Sequence, residues 1–109
     1  MIVPFSHVMI LSGIVFLTGM FALLSRRNLI MMILGVEIML NAAAIAFVGA
    51  ALRWQDLEGH TIVLFIIAVA ATEVSIGLAM IVRAHRRTGS VDPDNIGLEE
   101  LEEEECLIP

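Results

Sequence analysis

The stretch that decides the fold is "LIMMILGVEIMLNAAAIAFVGAAL", residues 29–52. It holds one charged side chain, Glu37, in 24 residues. An apolar run of ~20 residues is what a helix needs to cross a hydrocarbon layer roughly 30 Å thick. Helix is the form available there, because lipid offers no partner to unsatisfied backbone groups. Two further runs share the pattern. Residues 8–24 carry no charge, with the apolar stretch reaching back towards Met1, and residues 61–82 carry one, Glu73. The expectation is an all-α membrane protein of three transmembrane helices over residues 3–24, 29–52 and 61–83. These form a membrane domain, 1–90, followed by an acidic tail, 91–109.

Composition agrees. Of 109 residues, 59% are hydrophobic, and the mean hydropathy is +0.93. A soluble domain of this size has too small a core to hide that much apolar surface. The net charge of −6 is not a property of the helical body. Residues 92–109 hold eight of the twelve acidic side chains, leaving six basic and four acidic ones before them. The tail reads as a solvated, disordered extension, with docking to a basic partner surface as the alternative. One cysteine, Cys106, excludes a disulfide within the chain. The first span lacks a basic leader, and "ALLSRR" offers no small-residue cleavage site, so it is expected to persist as a helix.

Short connections fix an orientation. With three spans, the first loop and the C-terminus share a side, and that side holds Arg26, Arg27, Arg83, Arg86 and Arg87. The opposite side holds Arg53. The positive-inside rule then places the N-terminus outside and the C-terminus in the cytoplasm. Asn28 is the expected N-cap of the second helix, and Arg26 and Arg27 are the simplest kind of inner-side anchor.

The two acids stand out. Glu37 is eight residues from Leu29, roughly 12 Å at ~1.5 Å per residue, and Glu73 is nine from Val82, roughly 13–14 Å. Both fall near the bilayer midplane at one depth. A charge there costs on the order of 3 kcal/mol on insertion scales. Hydrocarbon favours the neutral form of a carboxyl, and a carboxyl that gains and loses a proton is the usual element of a membrane proton relay. The alternative is a protonated Glu that only bonds a neighbouring helix. Asn41, four residues on from Glu37, shares its face. Ala42, Ala46 and Ala50 lie roughly opposite; on the third helix, Ala71, Ser75 and Ala79 lie opposite Glu73 and Gly77. Such small-residue ridges let helices approach closely. Three spans cannot satisfy an acid face and a packing face on each helix, so a larger membrane complex is implied. His7, His60 and His85 are scattered at helix ends and form no ligand cluster, and no motif for a nucleotide, haem or iron–sulfur cluster is visible. No metal, cofactor-binding or redox-catalytic residue and no nucleic-acid partner is expected on this chain.

"RRNLIMMILGVEIMLNAAAIAFVGA" followed by "AVAATEVSIGLAMIVRAHRR" closely resembles subunit K of bacterial respiratory complex I, the counterpart of the mitochondrial 4L subunit. The likeness spans roughly residues 2–90, and rests most on Gly-x-Glu-x-Met-x-Asn-Ala around Glu37 and Ala-Ala-x-Glu-x-x-Ile-Gly-Leu-Ala around Glu73. It implies a subunit of NADH:quinone oxidoreductase in an energy-transducing membrane, most simply a bacterial inner membrane. It would lie between quinone-site and antiporter-like subunits, with Glu37 and Glu73 as proton-relay groups and Asn41, Arg26 and Arg27 supporting. NADH, FMN, iron–sulfur clusters and quinone would belong to other subunits. One departure is Glu58-Gly59-His60, where the family commonly has Asp-Gly-Gln. The nearest alternatives are the small subunit of multisubunit cation/proton antiporters, a membrane-bound hydrogenase relative, and a purely structural assembly subunit. The antiporter subunits typically enter the third helix through a Pro-rich segment, whereas this chain has "GHTIVLFIIAVAATEV".

Overall fold

The computed structural model describes residues 3–94 and 104–107. Three helices follow in order: α1, Phe5–Ser25; α2, Leu29–Trp54; and α3, Glu58–Thr88. All three are long and apolar enough to cross a membrane. Most of the acidic tail expected over 91–109 lies outside the described residues.

The ends of the helices follow from local chemistry. Asn28 caps α2 by accepting from the Ile30 amide at 2.9 Å. At its other end α2 stops where Gln55 turns left-handed (φ 52°) and returns its N–H to the Ala51 carbonyl. Asp56 then accepts from the Glu58 amide at 3.0 Å, so α3 starts at Glu58, three residues before its apolar run. Gly89 (φ 69°) ends α3 by donating to the His85 carbonyl at 2.7 Å. His85, Arg86 and Arg87 fill the last turn, where cations complement the helix dipole.

α2 is the middle helix, packed by α1 and by α3, and no comparable interface joins α1 to α3. The α1–α2 seam is built on backbone contact. A Cβ on Gly19 would lie 2.8 Å from the Gly35 carbonyl oxygen, and one on Gly35 would lie 2.9 Å from that of Gly19. Seven residues away along both helices, buried Ser12 donates to the Ala42 carbonyl at 2.7 Å. Seven further on, Gly49 lies against Val8 and Phe5. A step of seven is the repeat that keeps two nearly antiparallel helices in contact along their length. Close approach matters in lipid, where packing and hydrogen bonds, rather than expulsion of water, hold helices together.

Few side chains are buried within the chain. Ala42, Ala51, Ala70 and Ile81 form the described apolar core, whereas Ile10, Ile14, Leu17 and Phe21 of α1 and Leu64, Phe65, Ile76 and Met80 of α3 are exposed. Such a surface needs lipid or neighbouring protein over most of its area.

Candidate functional site

The α3–α2 contact sets where the two acids stand. A Cβ on Gly59 would meet Ala51 Cβ at 2.6 Å, and one on Gly77 would meet Ile33 Cδ1 at 2.5 Å. Moving four residues back from Gly77 and four on from Ile33 reaches Glu73 and Glu37. Moving fourteen on from Gly59 and fourteen back from Ala51 reaches the same pair. Both fixed points thus place Glu37 and Glu73 at one level of the α2–α3 interface. Glu37 also follows Gly35 by two residues, ~200° around the helix. The acid seam of α2 therefore lies away from its glycine seam.

The two carboxyls line different cavities. One, of about 210 Å³, is bounded by Glu37, Leu40, Asn41 and Ala44 of α2 and by Ile66, Ile67, Ala70 and Ala71 of α3. It runs from the level of the acids towards the α2–α3 turn. The other, of about 620 Å³, is bounded by Glu73 and Gly77 with Leu29, Ile33, Ile76, Met80, Ile81, Ala84 and Pro93. It runs the opposite way, towards the α1–α2 loop. At ~30 Å³ per liquid water, each has room for several molecules. Glu37 and Glu73 are half-buried, and among the described residues neither they nor Asn41 make a side-chain hydrogen bond. Their polar atoms are thus free for water or for side chains of other proteins.

Asn41 joins the Glu37 cavity, one turn along α2. Arg26 and Arg27 lie well away from both acids, exposed in the loop between α1 and α2. Arg27 pairs with Asp94, Nη1 to Oδ2, at 3.0 Å. Beside it the Leu29 amide donates to the Val91 carbonyl at 3.0 Å. Residues 91–94 therefore fold back beneath the start of α2, and Pro93 reaches the Glu73 cavity. No reading of the sequence pointed to Val91, Pro93 or Asp94. The only available hint was Pro93 itself, which ends a helix without saying where the chain goes next.

The ridges of small residues fare differently. Ala42 is buried on α1, but its partners in the seam are Gly35 and Gly49 rather than Ala46 and Ala50, which are half-buried. On α3, Ala71, Ser75 and Ala79 are all exposed, and Ser75 returns its hydroxyl to the Ala71 carbonyl at 2.9 Å. Gly77, on the acid side of α3, is the residue that packs on α2. At the far end Phe5 stacks edge-on to Trp54 at 5.5 Å, with the Arg53 guanidinium 5.3 Å from the Phe5 ring. No group of three potential metal-ligating side chains converges among the described residues.

The model of the family described as NADH-ubiquinone/plastoquinone oxidoreductase chain 4L matches residues 7–100. A protein named NADH-quinone oxidoreductase subunit K 2, from Syntrophobacter fumaroxidans, is 70% identical over 93 residues, covering 85% of this chain and 82% of its own. Subunit K 1 of Geobacter metallireducens is 53% identical over 95 residues, covering 86% and 93%. Subunit K of Nitrosospira multiformis is 45% identical over 94 residues, covering 86% and 92%. Three apolar helices with two interior acids, matched along nearly their whole length, place the chain in the NADH-quinone oxidoreductase subunit K (chain 4L) family.

Proposed function

We propose that the chain is a proton-conducting subunit in the membrane arm of an NADH:quinone oxidoreductase, and that Glu37 and Glu73 are successive proton-holding sites. The observation that carries this reading is their placement at one level of the α2–α3 interface, each facing its own cavity. A carboxyl in apolar surroundings stores a proton as the neutral acid and releases it when a charge or a water chain arrives. Cavities running in opposite directions would let one acid load from one end of the groove while the other discharges towards the other. Asn41 would hold water beside Glu37, since an amide both donates and accepts. Packed helices sit ~8–10 Å apart, so a water between the carboxyls, rather than direct contact, is the expected bridge.

Quinone-site and antiporter-like subunits would cover the exposed faces, including the Ala71–Ser75–Ala79 ridge of α3. Quinone chemistry or a neighbour's movement would load and empty the acids. NADH, FMN, iron–sulfur clusters and quinone are bound elsewhere in the complex. Arg26 and Arg27 would mark the cytoplasmic side of a bacterial inner membrane, with the N-terminus outside.

The test is Glu37→Gln, and separately Glu73→Gln, in the assembled complex, measuring quinone reduction and proton translocation in sealed membranes. Assembly should persist while pumping-coupled turnover falls sharply. Full pumping with Gln at both positions would sink the relay and leave a structural role.

A further inference from the structure

The segment that follows α3 lies against one end of the groove. Past Gly89 the chain makes a series of short turns, with the Asp92 amide donating to Ser90 Oγ at 3.1 Å and the Asp94 amide to Asp92 Oδ1 at 3.0 Å. These turns carry it back across the interface instead of away from it. Two contacts then tie it to the far side. The Val91 carbonyl takes the Leu29 amide, which has no partner within its own helix. The Asp94 carboxylate takes Arg27, whose side chain is otherwise free among the described residues. Between those two ties sits Pro93, lining the cavity of Glu73. Proline has no N–H, so it can face that apolar wall without leaving a donor unpaired.

We infer that residues 91–94 are a strap across the inner mouth of the Glu73 cavity, latched by Arg27–Asp94, and that opening the latch admits water to Glu73 from the side of the α1–α2 loop. The Arg27–Asp94 side chains are 82% and 62% exposed, so solvent and salt compete directly for the pair. The latch is thereby weak enough to open in use. The Val91–Leu29 bond is the hinge-side tie, a backbone bond that salt does not screen. The strap's bearing on proton movement rests on the reading of Glu73 given above; the closure itself does not.

The closure can be measured directly in the assembled complex, in open membrane fragments with both faces exposed to buffer. Ala84 lines the same cavity and is half-buried. In a Cys106→Ser background, Ala84→Cys is treated with a neutral, sugar-bearing maleimide that stays out of lipid, and labelling of this subunit is followed by mass. Adding Asp94→Asn should raise the labelling rate several-fold. Without that change, raising salt from about 0.01 M to about 1 M, across which the Debye length falls from ~30 to ~3 Å, should also raise it. With Asp94→Asn the salt effect should vanish. Equal rates with Asp94 and with Asn at that position overturn the strap. Should Asp94→Asn prevent assembly, a salt-independent rate with Asp94 intact overturns it instead. Glu73→Gln separates this from the relay: it sharply lowers pumping if the relay is right, and leaves the labelling response to salt intact if the strap is right.

Discussion

Glu73 stands level with Glu37 across the α2–α3 interface, one helical turn from the contact of Gly77 with Ile33. That contact brings the helices together on one side of the pair, and Gly59 against Ala51 does so at the other end of the groove. The acids are held between two clamps, in a part of the interface lined by cavities.

Widening one clamp should weaken proton passage between the acids if they relay as proposed. A Cβ at position 77 would fall 2.5 Å from Ile33 Cδ1, the movable end of a side chain. Gly77→Leu overfills the site, at a typical cost of about 1–3 kcal/mol. Proton translocation should fall, and Ile33→Ala in the same chain should recover a good part of it. Pumping assays on the single and double variants check this.

Shortening an acid should be milder than removing it. Glu37→Asp keeps the carboxyl but withdraws it by one methylene, ~1.5 Å. Partial pumping is expected, well above that of Glu37→Gln, whose loss should be at least about tenfold, or ~1.4 kcal/mol in barrier terms. Initial rates of proton uptake at matched quinone reduction give the comparison.

Asn41→Leu should lower pumping while leaving assembly intact. The change removes the other polar group of the Glu37 cavity and fills part of its volume. A lesser effect than that of Glu37→Gln is expected, because the carboxyl remains. Asn41→Gln, which keeps the amide, should retain more activity than Asn41→Leu.

The α1–α2 seam should be the least tolerant place in the chain. Gly19→Val or Gly35→Val puts atoms where a backbone carbonyl of the other helix already lies, 2.8–2.9 Å from the new Cβ. Backbone cannot move aside as Ile33 can. Loss of the subunit from the assembled complex is expected, read by native electrophoresis of membranes. Ser12→Ala, by contrast, forfeits one interhelical hydrogen bond, on average about 0.6 kcal/mol in a membrane protein, and should assemble normally.

Breaking the exposed pair should cost little stability. Arg27→Ala removes a surface ion pair with Asp94, worth about 0–1 kcal/mol. The thermal midpoint of the complex should scarcely move, so any loss of pumping reports on access or partner contact rather than on folding.

The helices and the shared level of the two acids along α2 and α3 were legible in the order of residues, because hydropathy and a rise per residue act locally. The choice of packing seam was not. Ala42, Ala46 and Ala50 suggested a four-residue ridge, but two long helices in antiparallel contact keep register at a step of seven, which selects Gly35, Ala42 and Gly49. The exposed ridge of α3 looked the same on paper as one that packs, since composition does not say which neighbour belongs to the same chain. The fold-back of Asp94 onto Arg27 spans 67 positions and depends on successive turns, so no local pattern announced it.

The reciprocal fit of Gly19 and Gly35 has a mechanical consequence. With carbonyls of one backbone against the other, α1 and α2 form a stiff plate that cannot be sheared without breaking backbone contact. α3 rests on that plate at Gly77 through the end of the Ile33 side chain, which can yield, whereas at Gly59 it meets the Ala51 Cβ and the Phe47 carbonyl, which cannot. Relative motion within this subunit is therefore easiest at the Gly77–Ile33 end of the α2–α3 boundary, where it would change the spacing of the two acids while the plate keeps its shape.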